Sequence, residues 1–403
     1  MKRSLLINFL LANILLTCFA NAESVVQNQS AESVQKPRLS FTDSETLALQ
    51  KALKQYKELS DNGGWPEWQV GKKITAGDSD DRIPTLRNLL TITSDYAPIA
   101  TISAESQHYD DTLVEAVKHF QARHGLNADG TLGKSTQTAL AVPVSRRIAQ
   151  IIVTLERIKN NPELIEPKFI LVNLPGYTLY GMEQEKTALQ MRVIIGNKDN
   201  HTPLFDKVVT DIVFNPPWNV PARIARNELM PKLRENPAYF INAGFTVTQD
   251  GIPIDPMSVS ANTEDDNLSF RQQPGHGNAL GKIKFNIPDS DDIYLHSTAN
   301  PQLFAKEERA LSHGCVRLEK PRDLAHFVLG DEAGWDSAKI DHMYDSTTEH
   351  HVAVTEVPVH LVYWTAFVDE QGVAYFYDDI YGKDNAVEAR MKDTESTTIV
   401  AAE

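Results

Sequence analysis

Residues 310–318, ALSHGCVRL, place Cys315 directly after a histidine and a glycine, His313 and Gly314. Another histidine, His296, ends an apolar stretch upstream of this segment. A thiol becomes a nucleophile when it loses its proton, and an imidazole within reach can take that proton. The residues therefore supply a nucleophile and a base. Backbone amides near Gly314 could form an oxyanion hole, because glycine lets the chain approach a substrate carbonyl.

The thiol could also have a role that involves no catalysis. A cysteine can be buried and inert, or it can bridge two chains. One cysteine and two histidines could also ligate zinc. The sequence contains no C-x-x-C motif, no H-E-x-x-H motif and no further evident ligand. We therefore predict neither a metal nor another cofactor.

The first 22 residues have the features of a secretory signal peptide. Lys2 and Arg3 precede an apolar run that ends in the small-residue site Ala20-Asn21-Ala22. Cleavage after residue 22 would remove the second cysteine, Cys18, unless that cysteine is lipidated, which the bulky Thr17 before it disfavours. No later segment reaches 18 consecutive apolar residues, so no integral membrane segment is expected after cleavage. These features predict export to the periplasm of a Gram-negative type envelope.

The charge of the chain limits the class of partner. The 403 residues carry a formal charge of −15 at pH 7, which argues against nucleic acid or an anionic membrane surface. The length suggests two or three domains. We expect a monomer.

Three segments precede the cysteine's domain. Residues 23–82 contain a polar lead-in without periodicity and a helix from Thr42 to Leu59, which we interpret as a small helical scaffold. Residues 83–142 have the pattern of a helical packing module, and residues 143–164 include one further amphipathic helix that connects it to the next domain.

The 83–142 segment contains AVKHFQARHGL followed by DG-x-x-G-x-x-T-x-x-AL. This pattern resembles the peptidoglycan-binding domain 1 family, and the resemblance implies affinity for cell-wall glycopeptide. Whether the segment binds the wall or only packs against its neighbours stays open.

Short strands then predominate over residues 165–385, and a tail follows over 386–403. The predicted strands are 168–175, 177–181, 187–196, 207–215, 292–298, 357–369 and 373–380. Between them, residues 217–272 lose the strand pattern, with a helix starting near Pro221 and a short hairpin after it. We interpret this insert as a capping subdomain. The chain is therefore predicted to be a multidomain α+β protein with a helical N-terminal region and a β-rich domain.

The pattern H-S-T…S-H-G-C-V-R-L, in which His296 and Ser312 enclose fifteen residues, resembles the signature of the L,D-transpeptidase (YkuD) catalytic domain. The insert and the C-terminal PVHLVYWTAFVD segment resemble the YcbB-like subgroup, whose members carry a cap. The resemblance implies that Cys315 is the nucleophile and His296 the general base, with Ser297 orienting the base. It also implies that His313 and Gly314 line the site.

Six further residues are predicted to contact substrate. Gly277 and Asn278 lie in PGHGNALGKIKF, which resembles the family's Pro-Gly-x-x-Asn-x-Leu-Gly segment. Arg317 occupies a position where the family often has asparagine. The full set is Arg317, Ser312, Trp218, Tyr294, Gly277 and Asn278.

The implied reaction is acyl transfer through a thioester, with release of D-alanine from tetrapeptide stems of the meso-diaminopimelate type and formation of 3–3 cross-links. The resemblance also implies acylation by carbapenems. A hydrolase with the same thioester, an L,D-carboxypeptidase or a lipoprotein-releasing amidase, is one alternative. A non-catalytic wall-binding protein is the other.

Overall fold

The computed structural model describes residues 41–160, 164, 166–184, 186–259, 267–275, 277–369 and 371–385. The predicted signal peptide, the polar lead-in and the tail from residue 386 lie outside them. No single described helix is long and apolar enough to cross a membrane, although two sharply bent neighbours, Lys134–Leu140 and Val144–Lys159, reach that length and composition together.

Five helices form the N-terminal part of the described chain. They are α1 Phe41–Asp61, α2 Ile83–Ile92, α3 Asp111–Arg123, α4 Lys134–Leu140 and α5 Val144–Lys159. Helix α3 begins at Asp110, whose carboxylate accepts a hydrogen bond from the Leu113 amide at 3.0 Å. Such a cap satisfies one of the free amides of the first turn.

Helices α2, α3 and α4 enclose a core of their own, which includes Leu86, Leu113 and Phe120. Trp68 and Ile74 are also buried in this core, ahead of the predicted start of the module at residue 83. The module therefore begins near residue 65, because a chain cut at 83 would remove two of its core side chains.

Helix α1 packs mainly against the β-rich domain, and its Tyr56 also contacts Trp65. Leu49 of α1 and Ile151 of α5 share a buried cluster with Phe169, Trp364 and Phe376, which belong to the β-rich domain. The predicted N-terminal scaffold is thus part of the outer layer of that domain.

The strands, in chain order, are β1 Lys168–Asn173, β2 Thr178–Glu183, β3 Lys186–Gly196, β4 Phe205–Phe214, β5 Trp218–Asn219, β6 Phe245–Gln249, β7 Ile252–Ile254, β8 Leu268–Gln272, β9 Ile283–Asn286, β10 Leu295–His296, β11 Ala310–Ser312, β12 Val316–Leu318, β13 His350–Val362, β14 Ala366–Val368 and β15 Ala374–Phe376. A nine-stranded sheet has the order β11-β3-β12-β10-β9-β4-β13-β1-β2, and β2 also pairs with β3. This last pairing closes the sheet into a ring.

The inside of the ring is the main core. Leu295, Val316 and Phe285 are fully buried there, and helix α9, Pro321–Leu329, adds Leu324 and Val328. Because side chains alternate along a strand, the residues next to Leu295 and Val316 face outward. A further helix, α10, covers Ser337–Asp345.

The insert is a compact subdomain between β4 and β9. Strands β5, β8, β6 and β7 form a separate sheet. Beside it lie α6 Ala222–Ile224, a π-helical turn at Ala225–Leu229, α7 Met230–Glu235 and α8 Pro237–Asn242. Phe240 and Phe270 centre its core. We call residues 218–272 the cap.

The architecture confirms the predicted fold class, a helical N-terminal region followed by a β-rich domain. Individual elements differ: the strand predicted over 292–298 is reduced to Leu295–His296, and β9, β11, β12, α9 and α10 were not predicted.

Candidate active site

Cys315 and His296 meet through two short neighbouring strands. β10 pairs in parallel with β12, with Leu295 opposite Val316 and His296 opposite Arg317. Since Leu295 and Val316 face the core, His296, Cys315 and Arg317 share the outer face of the sheet. The two residues of the predicted nucleophile and base are thus brought together.

The loop that presents Cys315 is held by buried hydroxyls. Gly314 has a φ of 124°, a backbone region that L side chains rarely adopt, and a β-carbon there would lie 2.9 Å from Ile293. Its carbonyl accepts a hydrogen bond from the Thr202 hydroxyl at 2.6 Å. The Ser312 hydroxyl donates to the Cys315 carbonyl at 2.6 Å. Ser312 is 1% exposed and shapes the loop, so its predicted substrate contact gains no support from this placement.

The prediction that the Gly314 amide contributes to an oxyanion hole is wrong. The Gly314 amide donates to the Ser312 hydroxyl at 3.1 Å and is therefore not free for a substrate oxygen. Among the described residues, no acceptor takes the Cys315 amide. The Cys315 amide remains as the donor that this loop can offer.

His296 is buried, with 4% of its surface exposed. Burial, followed by the charge of Arg317, lowers the pKa of His296 to about 3, against the opposing effect of backbone groups of Ser297 and Leu280. Its Nδ1 is buried without a hydrogen-bond partner among the described residues. The imidazole is therefore neutral near pH 7 and able to accept a proton.

Cys315 is partly accessible, and its thiol donates a hydrogen bond to the Asp292 carbonyl at 3.4 Å. Burial raises the pKa of the Cys315 thiol, while Tyr294, Lys284 and Arg317 act in the opposite direction. The resting thiol is thus protonated, with two cations and a phenol beside it to stabilise a thiolate. No hydrogen bond joins it to His296 among the described residues. Such contacts often form only once substrate is bound.

Three more predicted residues lie in or beside the loop that precedes β9, behind His296. Asn278 is 1% exposed, and its amide donates to the Gln273 carbonyl at 3.0 Å while its oxygen accepts from the Leu280 amide at 2.8 Å. The Gly277 carbonyl accepts from Gln272 at 2.8 Å. The Ser297 amide donates to the Ile283 carbonyl at 2.9 Å. These hydrogen bonds fix the backbone on either side of His296 and next to it.

The cap reaches the site at two points. The Glu228 carboxylate lies 2.6 Å from His313 Nε2. Trp218 lies within interaction range of the Tyr294 hydroxyl, which in turn neighbours the Cys315 sulfur. His313 therefore faces the cap, and Tyr294 connects the cap to the nucleophile.

Sequence reasoning missed several residues of this site. Lys284 lies over the Tyr294 ring at 4.0 Å and opposite His296 on β9. No sequence motif marks three others. The Thr202 hydroxyl and the Asp292 carbonyl contact the Cys315 loop, and the Glu228 carboxylate contacts His313 from the cap. Only Lys284, in the quoted PGHGNALGKIKF segment, could have been found from the sequence.

Among the described residues, no group of three His, Cys, Asp or Glu side chains could hold a metal ion. His296 and Cys315 are bordered by Lys284 and Arg317, and neighbouring cations oppose the binding of a metal cation.

Comparison with known proteins adds a curated relative. A putative L,D-transpeptidase of Haemophilus influenzae is 37% identical over 221 residues, which are 54% of this chain and 45% of that protein. The match thus spans less than half of that relative.

Solved structures with lower likeness include an L,D-transpeptidase from Stackebrandtia nassauensis, at 15% identity and a TM-score of 0.28, covering 74% of this chain and 96% of that one. L,D-transpeptidase 3 from Mycobacterium tuberculosis, in complex with a faropenem-derived adduct, has 12% identity and a TM-score of 0.24, with 48% and 60% covered.

The family comparison assigns two segments. Nothing in these comparisons tests the narrower YcbB-like assignment, which stays a prediction. The two predicted domain resemblances are confirmed: residues 167–359 match the L,D-transpeptidase catalytic domain (YkuD), and residues 79–140 match the putative peptidoglycan binding domain.

Proposed function

We propose that the protein is a cysteine acyltransferase that forms 3–3 cross-links between peptidoglycan stems. The observation that carries this proposal is the placement of Cys315 and a neutral His296 on adjacent strands, on one outer face beneath a cap. A neutral imidazole beside a thiol has a free lone pair that can take the thiol proton during attack.

In the first step, the thiol turns from the Asp292 carbonyl toward His296, which takes its proton. The sulfur attacks the carbonyl of the third stem residue, the L-centre of meso-diaminopimelate. The Cys315 amide faces the developing oxyanion. The bond to the terminal D-alanine breaks, its amine receives the proton from His296, and a thioester remains on Cys315.

In the second step, a neutral amine of another stem attacks the thioester, and His296 takes the proton that this amine loses. The sulfur leaves as the thiolate and is reprotonated. No nucleotide is required, because the thioester keeps the energy of the cleaved amide. Lys284, Arg317 and Tyr294 stabilise the thiolate at attack and at departure.

The cap favours an amine over water as acceptor. Its contacts through Glu228 and Trp218 close one side of the cleft. Excluding water protects a thioester until an amine arrives. On the sequence features of export and the family resemblance, we place the enzyme in the periplasm as a monomer acting on stems of the meso-diaminopimelate type, and expect carbapenems to acylate Cys315.

The test is incubation of the mature protein with disaccharide-tetrapeptide, followed by mass spectrometry. A cross-linked dimer with release of D-alanine is expected. Tripeptide alone would instead identify a hydrolase. Absence of both products, with no adduct at Cys315, would identify a non-catalytic wall-binding protein.

A further inference from the structure

A second cavity lies outside the Cys315 cleft. It has a volume of about 850 Å³, within the range of small-molecule sites. Five separate parts of the chain line it: α1, the loop after α3, the β2–β3 hairpin, Arg309 before β11 and the β14–β15 hairpin. Residues that represent them are Glu45, Asn127, Gln190, Tyr180 and Tyr375. The peptidoglycan-binding-type segment and the catalytic domain thus build one groove together.

Contacts between the two segments hold this groove in shape. Glu307, in the spacer between His296 and Cys315, accepts hydrogen bonds from the Asn127 amide at 3.3 Å and from the Ser135 hydroxyl at 2.7 Å. On the opposite wall, the Glu45 carboxylate accepts from the Val368 amide at 2.9 Å. The loop at Asn127 is therefore fixed against the catalytic domain.

The lining has aromatic faces and neutral polar groups. Tyr180 stacks with Phe367 at 5.7 Å, and Tyr375 lies beside Tyr377 at 6.4 Å. Burial raises the pKa of Glu45 to about 8, so this carboxyl is mostly neutral near pH 7. Side-chain amides and hydroxyls both donate and accept hydrogen bonds, and an uncharged polyhydroxylated ligand needs such groups.

The cations of the groove are already compensated. Arg192 pairs with Glu319, with 2.8 Å between Nε and the carboxylate. Arg309 is 7% exposed and donates to the carbonyls of Lys306, Val193 and Tyr177. The described residues that line the groove include no lysine. An anionic peptide stem would therefore lack a free cation here, whereas a neutral sugar would not need one.

The groove and the nucleophile lie on the same face of the sheet. Arg192 and Ile194 alternate outward on β3, and Ile194 is opposite Arg317 on β12. Arg192 lies two residues from Ile194 on β3, and Cys315 lies two residues from Arg317, on the side away from Arg192. Arg192 and Cys315 are therefore four residues apart along the strand direction, roughly 13 Å. The three stem residues up to the carbonyl that Cys315 attacks reach roughly 10 Å when fully extended. A stem whose sugar lies at the Cys315 side of the groove would cover most of this distance.

From these observations we propose that this groove binds the acetylated-hexosamine glycan strand of peptidoglycan and sets the position from which a stem enters the Cys315 cleft. The proposal rests on the proposed function for the identity of the polymer.

The test uses the full mature chain with two separate substitutions, Tyr375→Ala and Gln190→Ala. The Gln190 side chain is exposed, so its loss leaves the core intact. Gln107→Ala, also exposed but outside the groove, is the matched control. Binding of peptide-free glycan strands, prepared with an amidase, is compared with binding of free tetrapeptide. Thermal melting checks folding.

We expect each groove variant to bind glycan strands roughly tenfold more weakly, the equivalent of 1.4 kcal/mol, and to turn over intact sacculi more slowly. Binding of free tetrapeptide, which carries no sugar, should stay unchanged. Wild-type protein that fails to bind peptide-free strands, or folded groove variants that bind them normally, would overturn the proposal. Loss of tetrapeptide binding instead would assign the groove to stems.

Failure of the proposed function would look different. In that case, soluble disaccharide-tetrapeptide would give no dimer with wild-type protein, while glycan binding would still depend on Tyr375 and Gln190.

Discussion

At the scale of single residues, the site keeps its two reacting groups uncharged. Burial lowers the pKa of His296 and raises that of Cys315, so a thiolate–imidazolium pair is disfavoured before substrate binds. In the proposed mechanism, the proton is therefore transferred during attack, and Lys284 and Arg317 stabilise the sulfur. A resting thiol is also less readily oxidised than a thiolate.

Cys315→Ala should abolish cross-linking and leave folding intact, because a small side chain replaces a partly accessible thiol. Mass spectrometry of the disaccharide-tetrapeptide products and a melting curve measure both effects. Residual dimer from the variant would contradict the assignment of the nucleophile.

Lys284→Met should raise the pKa of Cys315 further, since the cation that stabilises the thiolate is lost. Labelling by iodoacetamide at pH 8 should slow, because less of the thiol is ionised at that pH. In the wild type, labelling should still be rising with pH at pH 9. Lys282→Met, two residues away and not among the groups that affect the thiol, is the control. Equal slowing by both variants would refute a specific role for Lys284.

At the scale of elements, the cap and the catalytic loop meet through one charged contact. Glu228→Gln removes the charge that faces His313, and the cap should then close less well over the thioester. The ratio of tripeptide to cross-linked dimer should rise. Glu235→Gln, on an exposed part of α7, should leave the ratio at the wild-type value. An unchanged ratio in folded Glu228→Gln would show that this contact does not control water access.

Helix α1 is joined to the β14–β15 hairpin by a carboxyl whose protonation affects stability. The folded-state pKa of Glu45 is about 8, above its ordinary 4.5, so folding takes up a proton between these values. Its contribution is fully present below pH 4.5 and is lost as pH rises through about 8.

Glu45→Gln keeps an acceptor for the Val368 amide without an ionisable group. The variant should lose less stability than the wild type between pH 5 and pH 8, by on the order of 1–3 kcal/mol. Urea unfolding at the two pH values measures this difference. Parallel stability curves for variant and wild type would contradict the buried neutral carboxyl.

The elements also show how far sequence reasoning reaches. Cys315 and His296 were predicted because their motif is nearly contiguous and its residue types allow few other chemistries. Strands β10 and β12 were missed or overextended because two or three residues carry too little periodicity. The Glu45–Val368 contact joins residues far apart in the chain, and nothing local to either residue marks its partner.

At the scale of the whole molecule, Glu307 connects the motif spacer to the peptidoglycan-binding-type segment. Glu307→Ala should speed amide hydrogen exchange at Asn127 and lower turnover of sacculi, because two hydrogen bonds to the segment are lost. Turnover of soluble disaccharide-tetrapeptide should not change. Glu308→Ala, the exposed neighbour, is the control. If exchange at Asn127 stays slow in Glu307→Ala, other contacts hold the segment.

The cap joins the β-rich domain through two paired residues, and this affects which changes of the cap the fold can tolerate. Trp218 and Gln272 are opposite each other on β5 and β8, so the chain leaves and re-enters the domain at nearly the same place. Paired strand residues lie about 5 Å apart. A tight turn could therefore join positions 218 and 272 without moving a strand of the closed ring. The cap could therefore be replaced by a different insert between positions 218 and 272. Under the proposed function, such an insert would change which acceptor reaches Cys315. The pairing of β10 and β12, the strands next to Cys315 and His296, would stay the same.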